Sequence, residues 1–490
     1  MRSFLVILLF TILLSSCKNF FSNDILDHDL SPREMKEDYD LFRRILEKAH
    51  PGLYDYHSKY EITSMFDSIR QTLGSDLTKR EFFNKIAFIT NRIGCAHTAV
   101  YLSEQDTRSF DDKRFFFPLN LIYIEHKPCV NAINDDLPLG AIIVSINHMS
   151  ADSIMEQLLS YHTTDGYINK AKYKMAAENF SYYYFLRFGA SDAYEITYKN
   201  NENGTLKKAM LNPISYKRMR EKSGRQFYYD ANDYDYDLQI NDTLGTAFMS
   251  IRTFDFSSVS RDKVFTNFIQ NAFRLLNTNS AIKNLVIDLR ENNGGNYKNC
   301  FQLYSYLTNK SFHEFNTAWT RFKNVPFAAY TSDNFRNGEW DAVEEIIEKD
   351  FNKDSASLYY LNPEKNEWWQ PNKNRFTGNI YLVTNPSVSS AAAYFAALLY
   401  NEGRATIVGE ETEGGYYKHN GFHLVEYELP NTKIGFSFSI ANVKHALPGK
   451  FNEPVGRGVI PNHIVSSTYK DFLENNDTQI QYIIDSLIKK

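Results

Sequence analysis

Apolar positions recur every three or four residues in two early stretches of the chain, and at alternate or consecutive positions in most later ones. In "SPREMKEDYDLFRRILEKAH", Met35, Tyr39, Phe42, Ile45 and Leu46 fall on one helical face. Ser31 stands where an N-cap belongs, Glu34 follows three residues on, and His50-Pro51-Gly52 closes the helix. "KREFFNKIAFITNRIG" repeats the pattern and stops at Gly94, so residues 30–110 read as a helical region. From about residue 115 the pattern turns strand-like: "FFFPLNLIYI", "KPCVNAI", "LPLGAIIVSIN", then "AYEITYKN" and "LKKAMLNP". Residues 160–190 between them are Tyr-rich and helical, so 111–215 reads as a β-rich module with a helical insertion. Over 240–470, short apolar runs ("GTAFMSIRTF", "NLVIDLR", "NIYLVTN", "ATIVGEE") alternate with helical stretches at 263–277, 297–309 and 390–402. Strands alternating with helices need crossover connections, which predicts an α/β core of mixed, at least partly parallel, sheet. The polar, aromatic stretch 320–375 reads as an insertion near one face of that core, and 471–490 as a C-terminal helix.

Composition changes this picture little. The 490 residues suffice for about three domains. A hydrophobic fraction of 43% supports real cores, and the many Tyr and Phe residues read as core filling. A net charge of −5 without a long Lys/Arg block gives no reason to expect nucleic acid as a partner.

The N-terminus is more specific. "MRSFLVILLFTILLSSC" has a positive residue, an apolar run too short for an ordinary span, and small residues before Cys17. Leu14-Ser15-Ser16-Cys17 resembles the bacterial lipobox. That resemblance implies a signal peptide over 1–16, lipid on Cys17, a tether over 17–29, and a membrane-anchored protein of the bacterial cell envelope. A plain secretory signal or a short anchor is the other reading. Cys95, Cys129 and Cys300 remain, an odd number without a CxxC pair, which argues against a disulfide framework or a zinc site.

The candidate chemistry begins at "TNPSVSSAAAYFAALL", where a buried strand passes through Asn385-Pro386 into an alanine-rich helix. A serine at such a corner is either an N-cap or a nucleophile placed where free N–H groups and the helix dipole favour an oxyanion. Ser389 and Ser390 together allow both roles. In "NLVIDLRENNGG", Gly294-Gly295 allows a turn that aims N–H groups outward, or is simply a strand-to-helix turn.

Asp288-Leu289-Arg290-Glu291-Asn292-Asn293-Gly294-Gly295 resembles the DLRxNxGG stretch of the S41 serine peptidases, which include the tail-specific and the tricorn-like enzymes. Ser387-Val388-Ser389-Ser390-Ala391, with Gly403-Arg404-Ala405 and Val408-Gly409-Glu410, resembles that family's nucleophile segment. The order of parts is similar too, with Leu137-Pro138-Leu139-Gly140 and the strands around it resembling a PDZ-like module. The resemblance implies Ser390 as nucleophile, with oxyanion donors from Ala391 and from Gly294 or Gly295. Gly415 stands where the tail-specific enzymes carry a lysine base, and Lys418 lies three residues on. "IGCAHTAV" resembles the GxxHT stretch of the tricorn-like branch, which implies His97 as base and Glu453 as third residue. Ala96 replaces the serine that precedes that histidine. A neutral imidazole takes a hydroxyl proton without prior desolvation, and implies activity rising through about pH 6 to 7. His50, His419, His423 and His445 are competing histidines, and Cys95 is a conceivable thiol nucleophile.

There is no GxSxG elbow, P-loop or dinucleotide fingerprint, and His313-Glu314 lacks the second histidine of a zinc-protease helix. The expectation is a serine endopeptidase needing no metal or cofactor, acting on a peptide or unfolded protein, with oligomeric state left open. The alternative is a catalytically silent peptide-binding lipoprotein on the same scaffold.

Overall fold

The computed structural model describes residues 25–75, 77–133, 136–223, 235–256, 258–353, 358–449 and 452–489. The leader and Cys17 lie outside them. No helix among the described residues is long and apolar enough to cross a membrane.

The helix Pro32–Ala49 opens with a reciprocal capping box: Glu34 N–H donates to Ser31 Oγ, and the Glu34 carboxylate accepts from Ser31 N–H. Its buried face includes Met35, Tyr39, Phe42, Ile45 and Leu46, as the periodicity predicts. A further helix, Lys59–Gln71, uses the same device through Ser58 and Glu61. Lys79–Ile93 ends at Gly94, whose φ of 74° is left-handed. A β-carbon on Gly94 would sit 3.1 Å from the Gly166 carbonyl, so glycine also lets residues 162–167 pass close by.

The next module is an antiparallel sheet, Leu121–Ile124, Lys127–Val130, Ile142–Ile146, Tyr194–Lys199 and Lys207–Leu211, in the spatial order last to first. Its own core takes Ile143, Ile146 and Ile196 from the sheet and Ile154, Ala176 and Phe180 from the helices. The insertion is helical as expected: Lys170–Glu178 and Phe180–Phe188.

The α/β core is a six-stranded sheet. Thr246–Ile251, Asn284–Asp288, Asn379–Thr384, Thr406–Gly409 and His463–Ile464 run parallel, and Tyr236–Asn241 closes one edge antiparallel. Asn284–Asp288 is buried throughout, the mark of a strand covered on both faces.

A second sheet was not legible as such. Lys418–Glu428 and Gly435–His445 form a long hairpin, onto which Phe315–Thr320, Tyr359–Leu361 and Phe351–Lys353 add successively. The stretch 320–375 is thus partly woven into this sheet rather than inserted beside the core. Along the same edge of Gly435–His445 as Phe315–Thr320, Ala99–Tyr101 pairs antiparallel with residues 435–437. The early helices accordingly share one hydrophobic core with the later sheets. Phe42 meets Phe436 edge-on at 4.9 Å between ring centroids, and both are fully buried.

The C-terminus is not one helix over 471–490. Tyr469–Glu474 stops where Asn475 turns left-handed at φ 54°, and Thr478–Tyr482 starts afresh under an Asp477 cap. Arg290 explains the break, because its guanidinium draws in Asp477 and Gln479.

Candidate active site

Asp288-Leu289-Arg290 leaves the core sheet as a structural anchor. Burial opposes ionisation of Asp288, but Arg290 and Arg252 outweigh it and hold the carboxyl well below the usual carboxylate range. The turn that follows is built by Asn292. Its Nδ2 donates to the Ile251 carbonyl, its Oδ1 accepts the Gly294 N–H at 2.8 Å, and its carbonyl accepts from Ser389 N–H. Both glycines are demanded. Gly294 has φ 98°, and a β-carbon there would lie 2.7 Å from Ser390 Cβ and 2.8 Å from Ala391 N. Gly295 has φ 127°, and its β-carbon would lie 2.2 Å from Asp255 N.

The nucleophile corner lies against that turn. The helix Ser390–Glu402 is almost wholly buried from Ala391 onward, so its first turn is held in place by packing. Ser389 does not cap it with its side chain. It is extended, and its Oγ donates to the Asn293 carbonyl at 3.2 Å, tying the corner to the glycine turn. Ser390 has φ 50°, a left-handed conformation that costs an L-residue roughly 1–2 kcal/mol. Such strain persists only where surrounding contacts impose it. Ser390 is partly exposed, and its Oγ has no hydrogen-bond partner among the described residues. The Ala391 and Gly295 N–H groups are likewise unused. Of the two glycines proposed from sequence, Gly294 has given its N–H to Asn292, which leaves Gly295.

His97 stands on the turn between Gly94 and Ala99–Tyr101. Thr98 N–H donates to the Cys95 carbonyl, Thr98 Oγ1 bonds His50 Nε2 at 2.7 Å, and Ala96 N–H donates to Asp165 Oδ1 at 2.9 Å. Asp165 Oδ2 accepts from Gly415 N–H at 2.9 Å. Gly414, next along, lies on the nucleophile corner: a β-carbon there would be 3.1 Å from Ser390 N. The segments carrying His97 and Ser390 thus meet around one carboxylate and one glycine pair. His97 Nδ1 is buried without a partner among the described residues, and burial alone takes the imidazole down to about 4. The ring is therefore neutral at neutral pH. An imidazole held at about 4 does not supply the rise at pH 6 to 7 expected of an ordinary histidine.

Glu453 makes no hydrogen bond to His97. Its carboxylate hydrogen-bonds Tyr400, ten residues along the helix from Ser390. No described carboxylate takes its place beside His97 Nδ1. The other candidates are accounted for. Lys418 Nζ is 2.8 Å from Asp55 and lies over the Tyr56 ring. Gly415 has no room for a lysine, since a β-carbon would be 2.4 Å from the Lys418 carbonyl. Burial pushes the Cys95 thiol up to about 12, so it is no nucleophile. His423 is partly exposed beside Glu339.

His419 and His445 belong to a buried relay. Tyr297 bonds His419 Nε2, His419 Nδ1 bonds His445 Nε2, and His445 Nδ1 bonds the Tyr416 carbonyl, each at 2.7 Å. A carbonyl only accepts, so its end fixes the direction: each histidine carries its proton on Nδ1 and Tyr297 donates. Burial keeps His419 well below its ordinary value and His445 at about 3. The His97 and His419 rings lie 5.8 Å apart. Asp165, Gly414 and Tyr297 are the contributors the sequence did not reveal. Among the described residues no group of His, Cys, Asp and Glu is placed to hold a metal ion.

Residues 246–462, a little under half of the chain, match the sequence profile of Peptidase family S41. The fold is similar to that of mature CPAF in complex with lactacystin, at 14% identity and a TM-score of 0.63 over 94% of this chain and 98% of that one. Mature CPAF without it gives 14% identity and 0.62 over 94% and 99%. The photosystem II D1 C-terminal processing protease is similar at 12% identity and 0.41 over 92% and 96%. No curated protein matches the sequence.

Proposed function

Taking the match of residues 246–462 to Peptidase family S41 as the premise, we propose that this chain is a serine endopeptidase with Ser390 as nucleophile and His97 as base. One observation carries the reading: Ser390, strained, unbonded and partly exposed, heads a buried helix with the glycine turn pressed against it. Ser390 Oγ attacks the peptide carbonyl while its proton passes to His97. The tetrahedral oxyanion is held by the N–H groups of Ala391 and Gly295, the two donors left unused at the corner. Collapse breaks the C–N bond, and His97 returns the proton to the leaving amine. Water, activated by the same imidazole, then releases the acyl group and restores Ser390. Substrates are peptides or unfolded chains. The lipobox-like Leu14-Ser15-Ser16-Cys17 supports an envelope protein anchored by lipid on Cys17, and Cys17→Ser then releases the protein from the membrane fraction.

The second reading, a silent peptide-binding relative, draws on the His97 Nδ1 left without a partner among the described residues and on the Glu453 carboxylate bonded to Tyr400. Labelling with a fluorophosphonate separates the two. A covalent adduct on Ser390 supports the peptidase. An unlabelled, folded protein supports the binder.

A further inference from the structure

Residues 162–167 run between the two halves of the proposed dyad and bond to them alternately. His162 Nε2 meets the Glu413 carboxylate at 2.8 Å, on the nucleophile side. Thr163 Oγ1 donates to the Thr98 carbonyl at 2.8 Å, on the base side. Asp165 bonds both sides at once. Gly166 N–H donates to the Gly94 carbonyl, and Tyr167 N–H to the Gly456 carbonyl. At Gly166 even a methyl group is barred, since a β-carbon would lie 2.5 Å from Gly456 Cα. The middle of this strap is the buried Asp165 carboxylate, whose partners are the amide one residue before His97 and the amide one residue after Gly414.

We propose that Asp165 is a positioning residue: one carboxylate oxygen holds the His97 turn, the other holds the Gly414-Gly415 segment against Ser390, and the spacing of base and nucleophile follows. This rests on the reading of Ser390 and His97 given above. The two amides are held no more than about 8 Å apart, the span of two hydrogen bonds and one carboxylate. Only an ionised carboxylate accepts fully at both oxygens. A protonated acid, or an amide, turns one of them into a donor facing an N–H donor.

Burial pushes Asp165 up to about 7, the Ala96 and Gly415 amides pull the other way, and Glu413 and Asp55 push it up further. Those two carboxylates are paired, with His162 and Lys418 respectively. The other titratable groups that face it, the buried Cys95 and the half-buried Tyr56 and Tyr297, have pKa values raised. The clamp is therefore complete above about pH 7 and loses one arm below it. His97, at about 4, does not titrate in that window.

The test compares wild type, Asp165→Asn, Ser390→Ala and His97→Ala on an unstructured peptide between about pH 5 and 9. Wild-type kcat should rise through about pH 7. Asp165→Asn should lower kcat on the order of tenfold or more with KM nearly unchanged, and should lose that rise. Fluorophosphonate labelling of Ser390 should slow in parallel. A wild-type kcat flat across the range overturns the proposal even if the Asn variant does not fold. So does an Asn variant with wild-type kcat and an unchanged rise, or one altered in KM alone. Retained activity in Ser390→Ala or His97→Ala sinks the underlying reading instead.

Discussion

Gly294 lies so close to Ser390 that a β-carbon on it would fall 2.7 Å from Ser390 Cβ. The second clash, 2.8 Å to Ala391 N, is with backbone and cannot be relieved by a rotamer change. Gly294→Ala also meets the penalty of φ 98°. The expected cost is about 1–3 kcal/mol of stability, together with labelling of Ser390 slowed on the order of a hundredfold, because the oxyanion donors move. Denaturant midpoints and labelling rates check both.

Ser390→Ala should abolish turnover with an unchanged circular dichroism spectrum. Ser390→Gly should abolish it too, yet raise the unfolding free energy by about 1 kcal/mol, since glycine adopts φ 50° without penalty. Ser389→Ala loses only the bond to the Asn293 carbonyl, and should stay active with a loss of about 1 kcal/mol. A glycine variant less stable than the alanine one would show that Ser390 is not strained.

Lys418→Ala should keep turnover within a few-fold and cost about 1 kcal/mol or less, as its ammonium is spent on Asp55 and Tyr56 near the surface. An inactive, folded Lys418→Ala would move the base from His97 to this lysine.

Stability should fall with acid well above the carboxylate range. His50, His97 and His445 have folded values of about 3, 4 and 3, and His419 is held low as well. Unfolding lets each take up a proton between its folded value and about 6.5, so their contribution is whole above 6.5 and lost as pH falls. Asp165, raised to about 7, works in the opposite sense over the same window. These five groups together should take up about two to three protons on unfolding near pH 5.5. The slope of unfolding free energy against pH measures that uptake, and a flat slope would deny that the histidines are buried neutral.

How far the sequence carried follows from the range of each signal. Capping, helical period and the Ser390–Glu402 boundaries are local, and Ser31, Glu34 and Gly94 announced them. The pairing of Ala99–Tyr101 with residues 435–437 is not local, so the sheet that fixes the His97 turn was invisible. Glu453 was placed by motif spacing, and spacing says nothing about which way a loop folds back. In the structure it folds toward Tyr400. Asp165 lies in an insertion whose helical texture carries no sign of the hydrogen bonds that residues 162–167 make across the chain. The left-handed Ser390 was beyond reach, because only the finished packing compels a serine into it.

The hydrogen bonds between Ala99–Tyr101 and residues 435–437 join parts of the chain more than three hundred residues apart. During synthesis the His97 turn emerges early, and it waits through most of translation for the hairpin strand on which its own strand docks. Closing so long a loop is entropically slow and belongs among the last folding events. The His97 turn therefore cannot take its final place before residues 435–437 have been made, and whatever chemistry it shares with Ser390 is withheld until then.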